Sequence, residues 1–546
     1  MPFIKPNNSA QPNHPDRKFF IIAAVAIIIA VTSPYLIGFA TAPVGTQFYG
    51  NAIFAPTDAS VYYSYIEQGR HGSAWMYDAF TSESHPATLW QPLWWIIGRG
   101  AELFNLSSPA ANALARVLCL PLLLGAVWWA LGWVFSDRGH RRLAFILTML
   151  AGGLGGLLTF WQNFQIGGAI TVPIDLWVSE AFASLTTFGS PHFILVTAGL
   201  VFILTAIERS WAERQWRLIP WAGLVAAGVF IIHPFHLFTW LMIWGAITIG
   251  RTIAARRIVW GYIGRWLTVL AIAAPMVLVY LLQYLTDPLT HIRAIENINL
   301  MPDWPNVVIG LIPLIPLATI GWWWLRGQAR WWLLAWAGMT LVAMYSPVHY
   351  QRRLSQGLSI PLAWMATPFL VFLWRHRTGL WQTRWLRTTA VVLVGVTTLT
   401  WLVIIGKTIA SHAQDRLGEP RRFHYLSSDY NSLAIFLRAN TNPRQPLLAT
   451  FTNGNIIAGL TAHQVFMGIG VETIHAGEKL VKAREFFSSM TQLQQRDFLM
   501  RYRICYILDG PRERAYGSAW QPQLWPNLRV VWRGAEMALY QATTCQ

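Results

Sequence analysis

The stretch TDASVYYSYIEQGRHG occupies residues 57–72 and follows a hydrophobic segment of membrane-spanning length. A chain that leaves a bilayer and at once presents an aspartate, a run of tyrosines, a glutamate and a Gly-Arg-His-Gly turn is placing polar groups at the membrane surface. The composition around it sets the class. The 546 residues are 54% hydrophobic and 12% charged, with 31 Trp, whereas a soluble chain carries about 25% charged residues. The deficit lies in apolar runs near 19–40, 113–135, 143–161, 191–207, 218–232, 236–250, 266–285, 306–325, 331–345, 357–374 and 388–406. Each is close to the roughly 17 to 25 residues that cross a bilayer as helix. These runs predict a polytopic α-helical membrane protein with about eleven transmembrane helices.

Net charge +17 would suggest nucleic acid in a soluble chain, but its placement excludes that reading. Lys5, Arg17 and Lys18 precede the first run, and arginines at 138, 141, 142, 209, 214, 217, 251, 256, 257, 265, 326, 330, 375, 377, 384 and 387 fill alternate loops. The positive-inside rule makes that face cytoplasmic. The chain is then expected to begin inside and end outside, as a multi-pass protein of the cell membrane. Ala40-Thr41-Ala42 resembles a signal-cleavage site, but the apolar run before it exceeds the roughly 7 to 15 residues of a signal h-region, so the first run reads as an uncleaved anchor. The runs contain no acid, which is not the pattern of a mid-membrane carboxylate relay. Chemistry is expected at the outer surface, in loops 41–112, 162–190, 286–305 and 346–356.

After residue 406 the pattern changes. Residues 1–406 read as the membrane part, with a large first outer loop at 41–112. Residues 407–546 read as a soluble extracytoplasmic α/β domain. In it LLATF, HQVFMG and ICYILDG are expected strands, ETIHAGEKLVKAREFF and QQRDFLMRY helices, and LRVVWRGAEMALYQA a closing hairpin. TFTNGN (450–455) is a strand-to-helix turn or an anion-binding turn. The polar tail 1–15 is expected to be disordered. Three cysteines make no disulfide framework, though Cys505 and Cys545 both lie outside and could pair. The Trp clusters at 128–129, 322–324 and 331–332 fit an interfacial aromatic belt. Trp75, Trp90, Trp94 and Trp95, in the outer loop, remain to contact a substrate.

Several residues carry candidate chemistry. Asp58 can cap a helix or act as a base, and Tyr62 lies one helical turn on, on the same face. Arg352 and Arg353, in SPVHYQRRLSQG, sit on the face where few basic residues belong; paired guanidiniums suit a phosphate or pyrophosphate. Asp175 and Glu180, in VPIDLWVSE, precede GSPHF with His192. HPFH places His233 and His236 at a turn tip, where they are interfacial residues or an i,i+3 ligand pair; no zinc motif of recognised spacing is present.

A first span followed by a long outer loop with an early Asp, tyrosines, glycines and later prolines resembles the GT-C superfamily of membrane glycosyltransferases. It looks like the first outer loop of protein mannosyltransferases and lipid A aminoarabinose transferases. Asp58, the stretch Pro86–Leu103 and Arg116 match the acid, the amphipathic proline-containing stretch and the arginine entering the second span. The sequence departs in one respect: those families commonly show adjacent acids, and here Ala59 follows Asp58, so a second carboxylate would come from Asp175, from Glu180 or from nowhere. The resemblance implies an inverting transfer of sugar from a polyprenyl-phosphate donor to a lipid, glycan or protein acceptor at the outer face. Asp58 would be the general base, Tyr62 and Tyr65 would shape the pocket, and Arg352 and Arg353 would hold the phosphate. Asp175, Glu180, His192 and His233 would line it. A divalent metal would require Asp175 to join Asp58. The alternatives are a lipid-linked sugar flippase or transporter, and a non-catalytic GT-C-like membrane protein.

Overall fold

The structure is a computed structural model that describes residues 14–50, 56–160, 165–166, 169–170, 172–325, 327–376, 380–415, 424–526 and 528–542. Most of the expected disordered tail, and Cys545, lie outside the described residues; Cys505 is engaged in a disulfide and Cys119 is free.

Among the described residues seven helices are long and apolar enough to cross a membrane, or eight with one bent pair counted as a single span. The expectation of about eleven full spans is thereby corrected, and length is the reason. Three of the expected runs form helices of only 13, 14 and 16 residues, at Arg138–Leu150, Ile219–Ile232 and Gln328–Ala343. At about 1.5 Å per residue these fall short of a hydrocarbon core of about 30 Å. The run 306–325 is the bent pair, Trp304–Leu311 and Leu314–Trp322, with an angle of 64° between its halves. The helix Arg138–Leu150 also stops, at Ala151-Gly152-Gly153, and the two breaks meet. A Cβ on Gly153 would lie 2.0 Å from the carbonyl oxygen of Gly310, and Leu154 N–H donates to Ile309 O at 3.2 Å. The helix Pro191–Ala212 carries an acid after all: Glu208 is fully buried, accepting from the Tyr262 hydroxyl at 2.6 Å and pairing with Arg251.

The most enclosed spans are Pro191–Ala212 and Gln351–Arg375, which form the centre of the bundle. The outer region is built on helix Pro56–Arg70, crossed by helix Pro92–Leu103 so closely that a Cβ on Gly98 would sit 2.5 Å from Ile66 O. In the C-terminal region a four-stranded sheet runs in the order Leu447–Leu448, Tyr506–Asp509, Ala538–Ala542, Leu528–Arg533. The first pair is parallel and the others antiparallel. The expected helices appear as Ala476–Ser488 and Gln492–Arg501. HQVFMG does not form a named strand and contributes only isolated bridges, at Val465 and Met467.

Helix Leu380–Asp415 runs through residue 406 without a break. Beyond it, Tyr425–Ser427 pairs antiparallel with Thr46–Phe48, which immediately follows the first span. Tyr49, Val61, Tyr63, Ile66 and Met76 pack in one hydrophobic cluster with Leu433, Ile456, Ile457, Val465 and Leu508. The first outer loop and the C-terminal region therefore share a core.

Candidate active site

The first outer loop delivers Asp58. It lies in the first turn of helix Pro56–Arg70, with Tyr62 one turn on. The Tyr62 ring stacks on Trp94 of the crossing helix at 4.9 Å and 9°, which fixes the face that Asp58 shares. Glu67, on the same helix, is fully buried and serves the scaffold: it pairs with Arg70 at 3.5 Å and with Arg438 of the C-terminal region at 3.3 Å, and accepts from Ser108. The polar residues that open the outer loop thus divide into one acid for the site and one for docking.

The second wall is the turn Gln351–Ser355, which carries both arginines. Gly357 closes that turn with φ +73°, a conformation that favours glycine. Its N–H donates to Glu180 O at 2.7 Å, and Ser359 N–H donates to Ala181 O at 2.9 Å. This backbone zipper sets Glu180 beside the arginines. Arg353 Nη1 donates to Glu180 Oε1 at 2.8 Å, and Arg352 Nε lies 3.4 Å from the same oxygen. The Arg353 guanidinium sits 5.4 Å over the Phe193 ring, and that of Arg352 5.5 Å over Trp177.

These walls enclose a cavity of about 330 Å³ lined by Asp58, Tyr62, Glu180, Arg352 and Arg353, with Tyr35, Asn112 and Trp177 among the other lining residues. Burial pushes the Asp58 carboxyl above its ordinary range; Arg353 and then Arg352 pull it back, and Glu180 adds to the rise. Burial, reinforced by the Asp58 charge, also pushes the Tyr62 phenol up and keeps it protonated. The cavity therefore offers a carboxylate with raised proton affinity facing two guanidiniums, an arrangement fit to take a proton at one end and hold an anion at the other.

The other expected residues lie around this centre. His192 packs on Tyr62 at 4.6 Å, His233 on His192 at 5.2 Å, and His236 on His233 at 5.6 Å, so the histidines form a chain of tilted and edge-to-face ring contacts behind the cavity wall. Tyr65 is buried, with Arg293 and Asp78 as its charged neighbours, and does not line the cavity. Asp175 does not join Asp58. Its Oδ2 accepts from Gly153 N–H at 2.8 Å, Gly155 N–H at 3.0 Å and Thr400 Oγ1 at 2.6 Å, so it ties together the break after Leu150. Burial holds its carboxyl up at about 6. Among the described residues no group of three or more His, Cys, Asp or Glu side chains is arranged to hold a metal ion. Arg116 lies under the cavity floor, its guanidinium 4.0 Å over Tyr35 and donating to Val31 O and Thr187 O.

TFTNGN is a helix start: Thr450 caps Phe451–Thr461. The carboxyl group held there is the chain's own. Glu513, fully buried, accepts from Thr450 N–H, Thr450 Oγ1 and Asn453 Nδ2, each at 2.9 Å.

No sequence-family profile matches the chain, and no curated protein matches it in sequence. Solved structures do match its fold. The oligosaccharyltransferase of Archaeoglobus fulgidus in its apo form superposes with a TM-score of 0.53 at 11% identity, over 93% of this chain and 72% of that one. ArnT from Cupriavidus metallidurans bound to undecaprenyl phosphate gives 0.51 at 12% identity, over 95% of this chain and 97% of that one. The arabinofuranosyltransferase AftD from mycobacteria gives 0.50 at 12% identity, over 96% of this chain and 40% of that one. The chain shares its overall fold with these solved membrane glycosyltransferases, and at these identities the likeness is one of fold alone.

Proposed function

We propose that this protein transfers a sugar from a polyprenyl-phosphate donor to an acceptor hydroxyl at the extracytoplasmic face of the membrane. The observation that carries the reading is the single cavity holding Asp58 opposite Arg352 and Arg353. Asp58 takes the proton of the acceptor hydroxyl as its oxygen attacks the anomeric carbon. The bond from that carbon to the donor phosphate oxygen breaks, the electron pair leaves with the phosphate, and the arginines neutralise the charge that grows there. A single displacement of this kind inverts the anomeric centre. Tyr62 walls the pocket, and Glu180 holds the arginines in register.

The donor is lipid-linked because nucleotide sugars are cytoplasmic while the cavity belongs to the outer loops. The ArnT match is a complex with undecaprenyl phosphate, which supports a donor of this class. The test uses purified protein, a radiolabelled polyprenyl-phosphate sugar and a cell-envelope extract as acceptor. Label is expected to pass to the extract with wild-type protein. Translocation of the lipid across vesicles without sugar transfer would replace this reading with that of a flippase.

A further inference from the structure

Among the described residues that line the cavity none comes from the C-terminal region, yet a continuous set of contacts runs from that region to Arg352. It begins at Glu472 and His475, in the loop before helix Ala476–Ser488. Glu472 pairs with Arg293 of helix Pro288–Glu296. His475 N–H donates to Glu296 at 3.2 Å, and its Nδ1 lies 3.4 Å from the same carboxylate. Arg293 is also tied to the first outer loop, with Nε 3.3 Å from Asp78. The helix end is thus pinned by two carboxylates on two different parts of the outer region.

Three residues past Glu296, the chain locks to the arginine turn. Asn299 N–H donates to His349 O at 2.7 Å, and Arg352 N–H donates back to Asn299 O at 2.9 Å. The side chain completes the lock: Arg352 Nη2 donates to Asn299 Oδ1 at 3.1 Å. Arg352 is therefore held at Nε by its ion pair with Glu180 and at Nη2 by its hydrogen bond to Asn299, and the direction of its remaining donors is set by both. A guanidinium binds phosphate through a planar fork, so its orientation matters as much as its charge.

We propose that Asn299 is a positioning residue for Arg352, and that the Arg293–Glu472 ion pair, by fixing the helix that carries Asn299, lets the C-terminal region set the affinity of the cavity for a phosphoryl ligand it never touches. This rests on the donor reading only for the choice of ligand. The coupling itself is a property of the contacts.

The test compares full-length wild type with Asn299→Ala, Glu472→Gln and Arg293→Lys, each alone and with Arg352→Gln, using undecaprenyl phosphate as the probe in detergent. Asn299→Ala and Glu472→Gln are expected to weaken binding by roughly 5-fold or more, the lower end of ordinary site-to-site coupling. Arg293→Lys, which keeps the charge, is expected to retain most of the affinity. In the Arg352→Gln background both losses should vanish, because residues acting through one group are not additive. Full additivity, or unchanged affinity in both single variants, would overturn the proposal. A second readout needs no donor: hydrogen exchange at the Arg352 amide should rise several-fold in Glu472→Gln while the helix Pro191–Ala212 stays protected. Unchanged exchange there would also overturn the coupling. Absence of undecaprenyl phosphate binding by wild type would strike the donor reading alone, leaving the exchange result to decide the coupling.

Discussion

The chain gathers arginines around a single acid at both of its membrane faces, and puts the two clusters to different use. At one end of the helical bundle, the end expected to be cytoplasmic from its arginine-rich loops, Asp16 faces Arg138, Arg141 and Arg142, at 3.6, 3.5 and 2.8 Å. On the outer side Glu180 faces Arg352 and Arg353. The Arg138 and Arg142 side chains are 48% and 37% exposed, with Arg141 more enclosed at 18%, whereas Arg352 and Arg353 are both largely enclosed, at 22% and 18%. The inner cluster fastens the first helix to the first turns of helix Arg138–Leu150. The outer cluster borders a cavity and faces a second carboxylate, Asp58, whose proton affinity is raised. Charge pairing alone does not distinguish an anchor from a site. Enclosure, and an additional titratable group looking at the pair, do.

The sharpest way to break this contrast is Asp58→Asn. Asn keeps the shape and caps a helix nearly as well, but it cannot accept a proton at neutral pH. Sugar transfer at saturating donor should fall about 10² to 10⁴-fold, the usual contribution of a general base, while the unfolding midpoint stays close to wild type. Transfer at the wild-type rate would remove Asp58 as the base.

Replacing both Arg352 and Arg353 with Gln should weaken donor binding next most severely. Each lost charge-assisted bond is worth about 1.5–3 kcal/mol, so titration of a polyprenyl-phosphate sugar should show at least roughly a 10-fold loss per charge. Because the double variant strands Glu180 as an unpaired buried acid, the triple variant with Glu180→Gln should recover stability but not affinity.

The pH profile gives a smaller effect. The base must be ionised, so transfer falls as pH falls through the titration of Asp58. Its raised proton affinity puts that acid limb above the ordinary carboxylate value of about 3.9. Glu180→Gln removes a charge that raises the Asp58 carboxyl and should move the limb downward. An upward shift would mean that the limb belongs to another group.

Least of all should follow from Arg138→Gln at the Asp16 cluster. Arg138 is half exposed and the buried Asp16 keeps Arg141 and Arg142 as partners, so stability should change by no more than about 1 kcal/mol and transfer not at all. A large loss of transfer there would erase the distinction between the two faces.

How far the sequence discloses these features depends on how local they are. Arg352 and Arg353 stand out because they lie on the face that carries few basic residues, and Asp58 because it follows the first span at once. The choice between Asp175 and Glu180 was not legible: it turns on the zipper from Glu180 and Ala181 to Gly357 and Ser359, residues far apart in the chain. Likewise the glycines of Ala151-Gly152-Gly153 look like part of a span, and only their contact with Gly310 explains the break. Asn299 carries no local signal, since its importance comes entirely from what it holds. The turn TFTNGN does have the right groups for an anion, but its occupant, Glu513, lies in another element.

The common core of the first outer loop and the C-terminal region bears on how the protein is made. Tyr63 and Ile66 emerge early from the ribosome, whereas the partners that cover them, such as Leu433, Ile456 and Leu508, are synthesised only after all the membrane-spanning helices. At an elongation rate of about 5–20 residues per second, the helix bearing Asp58 waits on the order of tens of seconds with its apolar face uncovered on the far side of the membrane. Maturation of the site is therefore timed by the synthesis of the C-terminal region, and a chain cut short after helix Leu380–Asp415 would carry all the described cavity-lining residues without the support that shapes them.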